Sequence, residues 1–426
     1  MNTAVSQSEL NAAWRGAESH CIKCGFCLPV CPTYRETGSE ASSPRGRLEL
    51  MYAAAQGQLP AGEIAEPLGQ CLGCLACETA CPAGIRFRDL LEAGQADTAH
   101  GGALKHLLLN RLLLSPGLRS LLAWGLYAYR MSGLQFVLRG LGLLDLLLPS
   151  LGRMERAIPP FGPPLGWRRG VRGLIAEIST PAREGAEAVL FTGCVMDTLF
   201  GEVHAATVKV LARNGYRALL PPGQTCCGAL HAHEGQREAA RELARRNIAA
   251  WEATGEAPIV VNSAGCGATM KAYGRLLAGD EQWRERAERV AARVRDVCEF
   301  LAALPLVQPT RPMPMRVAYD DPCHLLHAQQ ISSQPRELLA RIPELELVPL
   351  PEADWCCGSA GSYSLHYPAM SARVLARKMA NIAATEAHVV ATGNPGCLLQ
   401  LRLGAKRQGL QIHVVHPIQL LARSYE

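Results

Sequence analysis

Two short stretches near the N-terminus repeat one spacing of cysteines followed by proline, C-x2-C-x2-C-x3-C-P. The first runs from Cys21 to Pro32 and the second from Cys71 to Pro82. Three thiolates at this spacing wrap one face of an iron–sulfur cube, while the proline turns the chain so that the fourth thiolate points elsewhere. Structural zinc sites instead use two separated CxxC pairs, so the spacing favours iron–sulfur clusters.

The fourth cysteine of each run is expected to ligate the cluster of the other run, as it does in two-cluster ferredoxins. We therefore predict two [4Fe–4S] clusters. The ligands of the first are Cys21, Cys24, Cys27 and Cys81, and those of the second are Cys71, Cys74, Cys77 and Cys31. This exchange would hold the two clusters close enough for electron transfer.

Small and basic residues beside the runs suggest how cluster charge is handled. Gly25, Gly73 and Gly84 allow backbone N–H groups to approach the sulfurs. Arg45 and Arg47 either offset the negative charge of a cluster or form a solvated helix start, and the sequence does not separate these two interpretations.

A second cysteine pattern occurs twice in the C-terminal half. A β-branched run ends at a cysteine, a Cys-Cys-Gly triplet follows, and a second apolar run ends at another cysteine. Each cysteine of the second copy lies 129 to 131 residues after its counterpart, which identifies a duplicated module. The copies contain Cys194, Cys226, Cys227 and Cys266, then Cys323, Cys356, Cys357 and Cys397.

These eight matched cysteines are candidates for additional metal or redox sites, with buried packing as the alternative. Strands alternating with helices indicate a parallel α/β sheet, which would place the cysteines at the carboxyl ends of strands. Nearby histidines are read first as hydrogen-bonded core residues and second as ligands or proton carriers; they are His231, His233, His324 and His327. Cys298 has no counterpart and is read as structural.

Composition restricts the class of protein. The chain has 426 residues and a net charge of +5, too mild to suggest nucleic-acid binding. Its 17 cysteines are odd in number and clustered, which argues against a disulfide framework and for a reducing compartment. The N-terminal sequence MNTAVSQSEL lacks the features of a secretory signal, so we expect a cytoplasmic protein.

The expected fold is multidomain, with a mostly helical, ferredoxin-like two-cluster domain followed by a duplicated α/β Cys-Cys-Gly module. The predicted domains are 1–100 for the clusters, 101–180 for a leucine-rich helical region with a Pro/Gly linker, and 181–310 and 311–426 for the modules. Arginines interrupt the leucine-rich region too often for a membrane span, so we predict amphipathic helices there. Their roles are core packing, docking of partner subunits, or peripheral contact with the cytoplasmic face of the inner membrane.

Longer strings extend the cysteine patterns, among them SPRGRLELMYAA, FTGCVMD, YDDPCHLLHAQ and ATGNPGCLLQL. With these strings, nearly the whole chain resembles the iron–sulfur subunits of glycolate oxidase (glycolate dehydrogenase). The resemblance implies an electron-transfer subunit without catalytic residues of its own, flavin-containing partner subunits that oxidise glycolate to glyoxylate, and a quinone or other acceptor. In related heterodisulfide reductase modules a fifth cysteine completes a noncubane cluster. That cysteine is absent from both copies here, so a cubane, a zinc ion or an empty site stays open.

The sequence contains no GxGxxG after a strand and no P-loop, so no hydride acceptor is evident on this chain. A cubane transfers one electron, whereas oxidation of a 2-hydroxy acid removes two. A flavin on a partner subunit would accept the pair and pass the electrons on one at a time. Three alternatives share the cysteine pattern: an iron–sulfur subunit for lactate or glycerol 3-phosphate oxidation, a thiol–disulfide subunit like heterodisulfide reductase, and a metal-dependent scaffold.

Overall fold

The N-terminal region is helical in the computed structural model, which describes residues 21–98, 110–111, 114–142 and 186–426. Its helices are α1 Pro32–Thr37, α2 Pro44–Ala55, α3 Ala61–Gly69, α4 Ala76–Thr79 and α5 Phe87–Thr98. Pro32 of the first cysteine run opens α1, because a proline's fixed φ and missing N–H suit the first helical position. Ser43 caps α2 by accepting a hydrogen bond from the Gly46 N–H.

A small apolar core holds these helices together around the cysteine runs. Met51 from α2, Ile64 and Leu68 from α3, and Leu90 from α5 are fully buried against one another. Gly94 of α5 lies so close to Met51 and Leu68 that a methyl group there would meet their side chains at 2.8 Å. The tight packing of α5 on α2 and α3 fixes the loops that carry the cysteines.

The leucine-rich region forms two helices where it is described, α6 Pro116–Met131 and α7 Leu134–Gly140. They agree with the predicted amphipathic helices. The predicted Pro/Gly linker at 158–167 lies outside the described residues. Within the described ranges, every helix is too short or too polar to span a lipid bilayer.

The C-terminal half contains two parallel four-stranded sheets of matching topology. The first has the order β2-β1-β3-β4 and the second β6-β5-β7-β8. Their strands are β1 Glu187–Phe191, β2 Arg217–Leu219, β3 Ile259–Val261, β4 Val294–Asp296, β5 Met315–Tyr319, β6 Leu345–Val348, β7 Val389–Ala391 and β8 His413–Val415.

Helices connect the strands and cover both sheets. Those of the first module are α8 Val195–Leu199, α9 Gly201–Arg213, α10 Ala229–His233, α11 Arg237–Glu252, α12 Ala264–Met270, α13 Tyr273–Leu276, α14 Arg284–Arg293 and α15 Val297–Ala302. Those of the second are α16 Cys323–Gln329, α17 Ser333–Ala340, α18 Tyr363–His366, α19 Pro368–Ala384, α20 Pro395–Gln408 and α21 Pro417–Ser424.

The duplication predicted from the cysteine offsets is thus confirmed as two parallel sheets of the same order. Corresponding central strands also pair in register: Val189 lies opposite Ile259 in the first sheet, and Val317 opposite Val389 in the second. These strands are apolar on both faces because helices cover both sides of a parallel sheet. One continuous core joins the modules, with Phe200 and Leu211 of the first in the same cluster as Leu398 and Leu421 of the second.

A buried ion pair distinguishes the second module. Lys378 on α19 is fully buried, and its ammonium lies 2.8 Å from the carboxylate of Asp320, which directly follows β5. The ammonium also donates to the carbonyls of Glu352 and Ala353, and Thr392 donates to the Asp320 carboxylate. The pair therefore links α19 to the ends of β5 and β7, and the hydrogen bonds around it offset part of the cost of its burial.

Replacing Lys378 alone by Met should destabilise the second module strongly, by about 3–5 kcal/mol, because it leaves Asp320 charged and buried without its partner. Hydrogen exchange of the β5 and β7 amides measures this as faster opening. The double variant K378M/D320N should recover much of the loss. Lys209→Ala is a control, because the Lys209–Glu426 pair is half exposed and should contribute less than about 1 kcal/mol. Unchanged exchange in K378M would contradict the assignment.

Candidate metal centres

The first predicted ligand set converges on one cavity. Cys21, Cys24 and Cys27 of the first run and Cys81 of the second line it together. Leu48, Ile85 and Phe87 provide apolar walls, and Cys77, which is assigned to the second set, also lines this cavity. Gly25 has a φ of +83°, a backbone conformation that favours glycine and turns the chain between Cys24 and Cys27. The fold thus places Cys81, the fourth cysteine of the second run, in the same cavity as the first three cysteines of the first run.

The second predicted set lies deeper in the protein. Burial raises the pKa of Cys77 well above its usual range, and the neighbouring thiols raise it further, Cys74 first, then Cys71 and Cys31. The thiols of Cys71, Cys74 and Cys77, whose pKa values are all raised, resist ionisation in the absence of a cation. A cluster that binds them as thiolates would supply the missing positive charge, and binding would release protons.

Two features of the second set stabilise the ionised form of its cysteine side chains. The Gly73 N–H donates to the Cys71 sulfur at 3.4 Å, as the glycine argument predicts. Burial raises the pKa of Cys71, while the Arg47 guanidinium opposes that rise. Arg47 is itself buried, donating to the carbonyl of Pro67 and the hydroxyl of Thr33.

The two arginines beside the first run therefore have different roles. Arg47 is a buried cation near the second set, which matches the charge-offset interpretation. Arg45 is partly exposed and ion-paired with Glu40 at 2.5 Å, although it lies at the rim of the first cavity. Its guanidinium also donates to the Lys23 carbonyl at 3.4 Å. Arg45 therefore holds the first cysteine loop in place, and this role comes in addition to any effect on cluster charge.

Each C-terminal module brings its four cysteines together at the carboxyl edge of its sheet. In the first, the Cys194 and Cys226 sulfurs are 3.5 Å apart, and Cys227 hydrogen-bonds both Cys226 and Cys266. In the second, the Cys357 and Cys397 sulfurs are 3.3 Å apart, and Cys356 hydrogen-bonds Cys323 and Cys357. This arrangement favours metal or redox sites over the alternative that the cysteines only fill the core. All the cysteines are free thiols.

The glycine of each Cys-Cys-Gly triplet is required by geometry. Gly228 and Gly358 have φ values of +87° and +81°, which other residues rarely adopt. A methyl group on Gly358 would also lie 2.7 Å from the Ser371 carbonyl oxygen. The Gly358 N–H donates to the Cys356 sulfur at 3.4 Å, so the tight turn aims backbone donors at the thiols.

The second N-terminal set adjoins the second module. Leu72 packs with Trp355 and Cys356, and Cys74 and Cys323 lie against the same group. The proximity is electrostatic as well, because Cys356 contributes to the raised pKa of Cys74, after burial. This contact between a ferredoxin-type set and a Cys-Cys-Gly module was not predicted from the sequence.

Hydrogen bonds hold this junction. His324 Nε2 lies 2.9 Å from the Gly73 carbonyl oxygen, and the Tyr363 hydroxyl donates to the Gln70 carbonyl. Thr79 and His327 form a third contact at 2.9 Å between their side chains. The first module is covered differently: Leu114, just before α6, packs on Cys194 and Cys226.

The four candidate histidines separate into two kinds. His324 and His327 are hydrogen-bonded, as expected for structural residues. His233 contacts the His324 ring, and burial lowers its pKa to about 3, so it is neutral beside Glu92. His231 is a fully buried core residue beside the Cys226 thiol.

Single-ion sites are a separate question. Across the parts of the chain that the structure describes, no group of three or more His, Cys, Asp or Glu side chains has the geometry of a site for one metal ion. A cubane binds its thiolates on four different irons, so cysteines that ligate one need not converge on a single point.

Comparison with known proteins finds family models over most of the chain. A 4Fe-4S dicluster domain matches residues 18–85, and a glycolate oxidase iron-sulfur subunit linker region matches residues 100–158. A cysteine-rich domain matches twice, at 188–271 and 317–402.

Similar proteins cover the chain almost end to end. It is 39% identical over 417 residues to a probable glycolate oxidase iron-sulfur subunit of Bacillus subtilis, spanning 94% of this chain and 93% of that protein. It is 30% identical over 410 residues to the glycolate oxidase iron-sulfur subunit of Escherichia coli, spanning 95% and 94%. Lactate utilization protein A of Geobacillus kaustophilus is 32% identical over 234 residues, which span 54% of this chain and 97% of that protein.

The crossed arrangement makes a specific prediction for serine variants. Cys81→Ser should perturb the cluster of the first run, and Cys31→Ser the cluster of the second, because each removes a ligand from the other run's cluster. In electron paramagnetic resonance of the reduced variants, Cys81→Ser should change the same cluster signal as Cys24→Ser. Cys31→Ser should change the other signal, the one that Cys74→Ser also changes. If C81S instead matched C74S, the crossed assignment would be wrong.

Proposed function

Because this chain belongs to the family of glycolate oxidase iron–sulfur subunits, we propose that it carries electrons within a glycolate-oxidising complex. The observation that carries the proposal is the junction between the second N-terminal cysteine set and the second module. There Cys74, Cys323 and Cys356 lie in one packed group, so redox centres bound at both places would be neighbours.

Two [4Fe–4S] clusters fit the N-terminal donor sets. The first takes Cys21, Cys24, Cys27 and Cys81, and the second takes Cys71, Cys74, Cys77 and Cys31. The fit rests on soft thiolate donors, on apolar walls around the first set, and on the buried thiols of the second set that need a compensating cation. When bound, such clusters accept and release single electrons.

The eight module cysteines offer two further thiolate sites, for an additional iron–sulfur cluster or for zinc. An iron–sulfur centre at the second module would extend the electron path beyond the N-terminal clusters. Six of these eight cysteines, all but Cys266 and Cys323, are buried away from water, which suits electron transfer better than substrate turnover.

Substrate oxidation belongs to partner subunits in this proposal. The sequence lacks a nucleotide-binding fingerprint, and a cubane exchanges one electron whereas glycolate oxidation to glyoxylate releases two. Flavin-containing partners would split the electron pair and pass single electrons to this subunit. A quinone is the proposed final acceptor.

The complex purified anaerobically with its native partners should contain at least about eight irons per copy of this chain, four for each cubane. Glycolate should reduce its clusters and an added dye. Cys74→Ser should lower glycolate-dependent dye reduction at least tenfold, while Cys298→Ser, a buried cysteine outside the four sets, should not. Reduction by lactate or glycerol 3-phosphate but not by glycolate would contradict the substrate assignment.

We also propose that α6 and α7 rest on the membrane. Leu121 and Phe136 are 71% and 83% exposed, and Trp124 and Met131 are exposed beside them. From residue 98 to residue 144 the sequence has five basic residues and no acidic one. An apolar face with basic neighbours is suited to an anionic lipid surface. Arg119 anchors α6 to the first module through the buried Asp197 carboxylate at 3.4 Å.

The double variant L121E/F136E should reduce co-sedimentation with vesicles rich in phosphatidylglycerol about tenfold, because it places two charges in the apolar face. Leu365→Glu is the matched control, since Leu365 is a half-exposed leucine on α18, away from these helices. Phosphatidylcholine vesicles test the contribution of anionic lipid. Equal sedimentation of the double variant and the wild type would contradict lipid docking and favour partner subunits as the occupant.

A further inference from the structure

Arg47 on α2 is a buried guanidinium whose charge no carboxylate balances. It is 1% exposed, and it donates to the Pro67 carbonyl at 2.7 Å and to the Thr33 hydroxyl at 3.1 Å. Both partners are neutral, and within the described ranges no aspartate or glutamate forms an ion pair with it. Burial of a charge without a partner of opposite sign is costly. The position of Arg47 therefore calls for negative charge nearby, and the closest source is a set of thiolates.

Hydrogen bonds connect Arg47 to Cys31, a predicted ligand of the second cluster. The Thr33 hydroxyl oxygen, which accepts from Arg47, lies 3.3 Å from the Cys31 sulfur, and the hydroxyl donates to the Ser42 carbonyl at 2.7 Å. As a thiolate, Cys31 has no proton to donate, so it can only accept from this hydroxyl. The guanidinium is thus one buried side chain away from the Cys31 sulfur.

The cations beside the first set differ, because carboxylates already balance them. Lys23 pairs with Glu49 at 2.8 Å, and Arg45 pairs with Glu40; all four side chains are at least one-third exposed. Cys24 of this set is the one exposed cysteine among the 17 of the chain. The first set therefore faces solvent and neutral ion pairs, whereas the second has a buried cation without a carboxylate.

Charge near an iron–sulfur cluster is one of the factors that set its reduction potential, because reduction adds one negative charge. Burial by itself disfavours that added charge, and a nearby cation opposes the effect of burial. The attraction is stronger in the protein interior than at the surface, where water and salt screen it. Arg47 therefore stabilises the reduced form at the second set, and the exposed ion pairs at the first set do so much less.

We propose that Arg47 is the counter-ion of the second cluster and keeps its reduction potential above that of the first. The inference rests on the proposal that both N-terminal sets bind cubanes. Arg47 then favours movement of an electron, delivered by a flavin-containing partner, from the first cluster to the second, which adjoins the second module. The transfer oxidises the first cluster by one electron and reduces the second by one.

The test is a redox titration of the full-length chain, purified anaerobically and followed by electron paramagnetic resonance, with signals assigned by Cys24→Ser and Cys74→Ser. Arg47→Gln should make reduction of the second cluster at least about tenfold less favourable, a shift of about 59 mV for a one-electron couple, without moving the first. Arg47→Lys keeps the charge and should retain most of the potential. Arg45→Gln on the same helix is the matched control and should leave the second potential unchanged.

A second measurement uses the wild-type protein, so it does not depend on whether an Arg47 variant folds. As the potential is lowered, the signal that Cys74→Ser changes should appear before the signal that Cys24→Ser changes. The reverse order, an unchanged second potential in R47Q, or an equal shift of both potentials would overturn the proposal and leave the two cubanes standing. Fewer than about eight irons per chain would overturn the two-cluster assignment itself, and this inference with it.

Discussion

Every cysteine of the chain except Cys298 lies in one of four groups of four, and the mutual repulsion of their thiolates is the constraint on which the fold depends. Burial, and after it the neighbouring thiols, raise the pKa of Cys77, so the second N-terminal set is unfavourable as thiolate unless a cation is present. The protein supplies partial compensation where it has room: the Arg47 guanidinium, the Gly73 N–H, and the Lys378 ammonium. Metal binding would complete it.

The structure assembles its four groups of cysteines in two ways, and it uses each way twice. In the N-terminal region, short loops with left-handed glycines wrap the sulfurs, and tightly packed helices hold the loops. In the modules, parallel strands deliver their carboxyl ends to one edge, where a Cys-Cys-Gly turn adds two adjacent thiols. Different segments then cover the two module sites: Leu72 covers the second and Leu114 the first. Duplication therefore yielded two similar sites with different neighbours.

The sequence predicted what depends on spacing and periodicity. The cysteine offsets gave the duplicated parallel sheets, and the strand ends gave the positions of Cys194 and Cys323. Contacts between domains could not be predicted from the sequence, because tertiary packing alone brings together Leu72, Trp355 and Tyr363. Lys378 would be read as a solvated helix residue, although two aspartates directly after β5 are a signal for a buried cation. His231 was expected to be a core residue, and the structure buries it beside the Cys226 thiol.

The central claim is that two cubanes with exchanged ligands lie side by side in the N-terminal region. Electron paramagnetic resonance of the fully reduced, anaerobic protein tests it most directly, because two reduced paramagnetic clusters at close range broaden and split each other's signals. The account predicts an interaction spectrum in which the two N-terminal clusters contribute about two spins per chain and which simplifies when either cluster is removed by a serine variant. A spectrum of one spin, or of two independent spins without interaction, would contradict it.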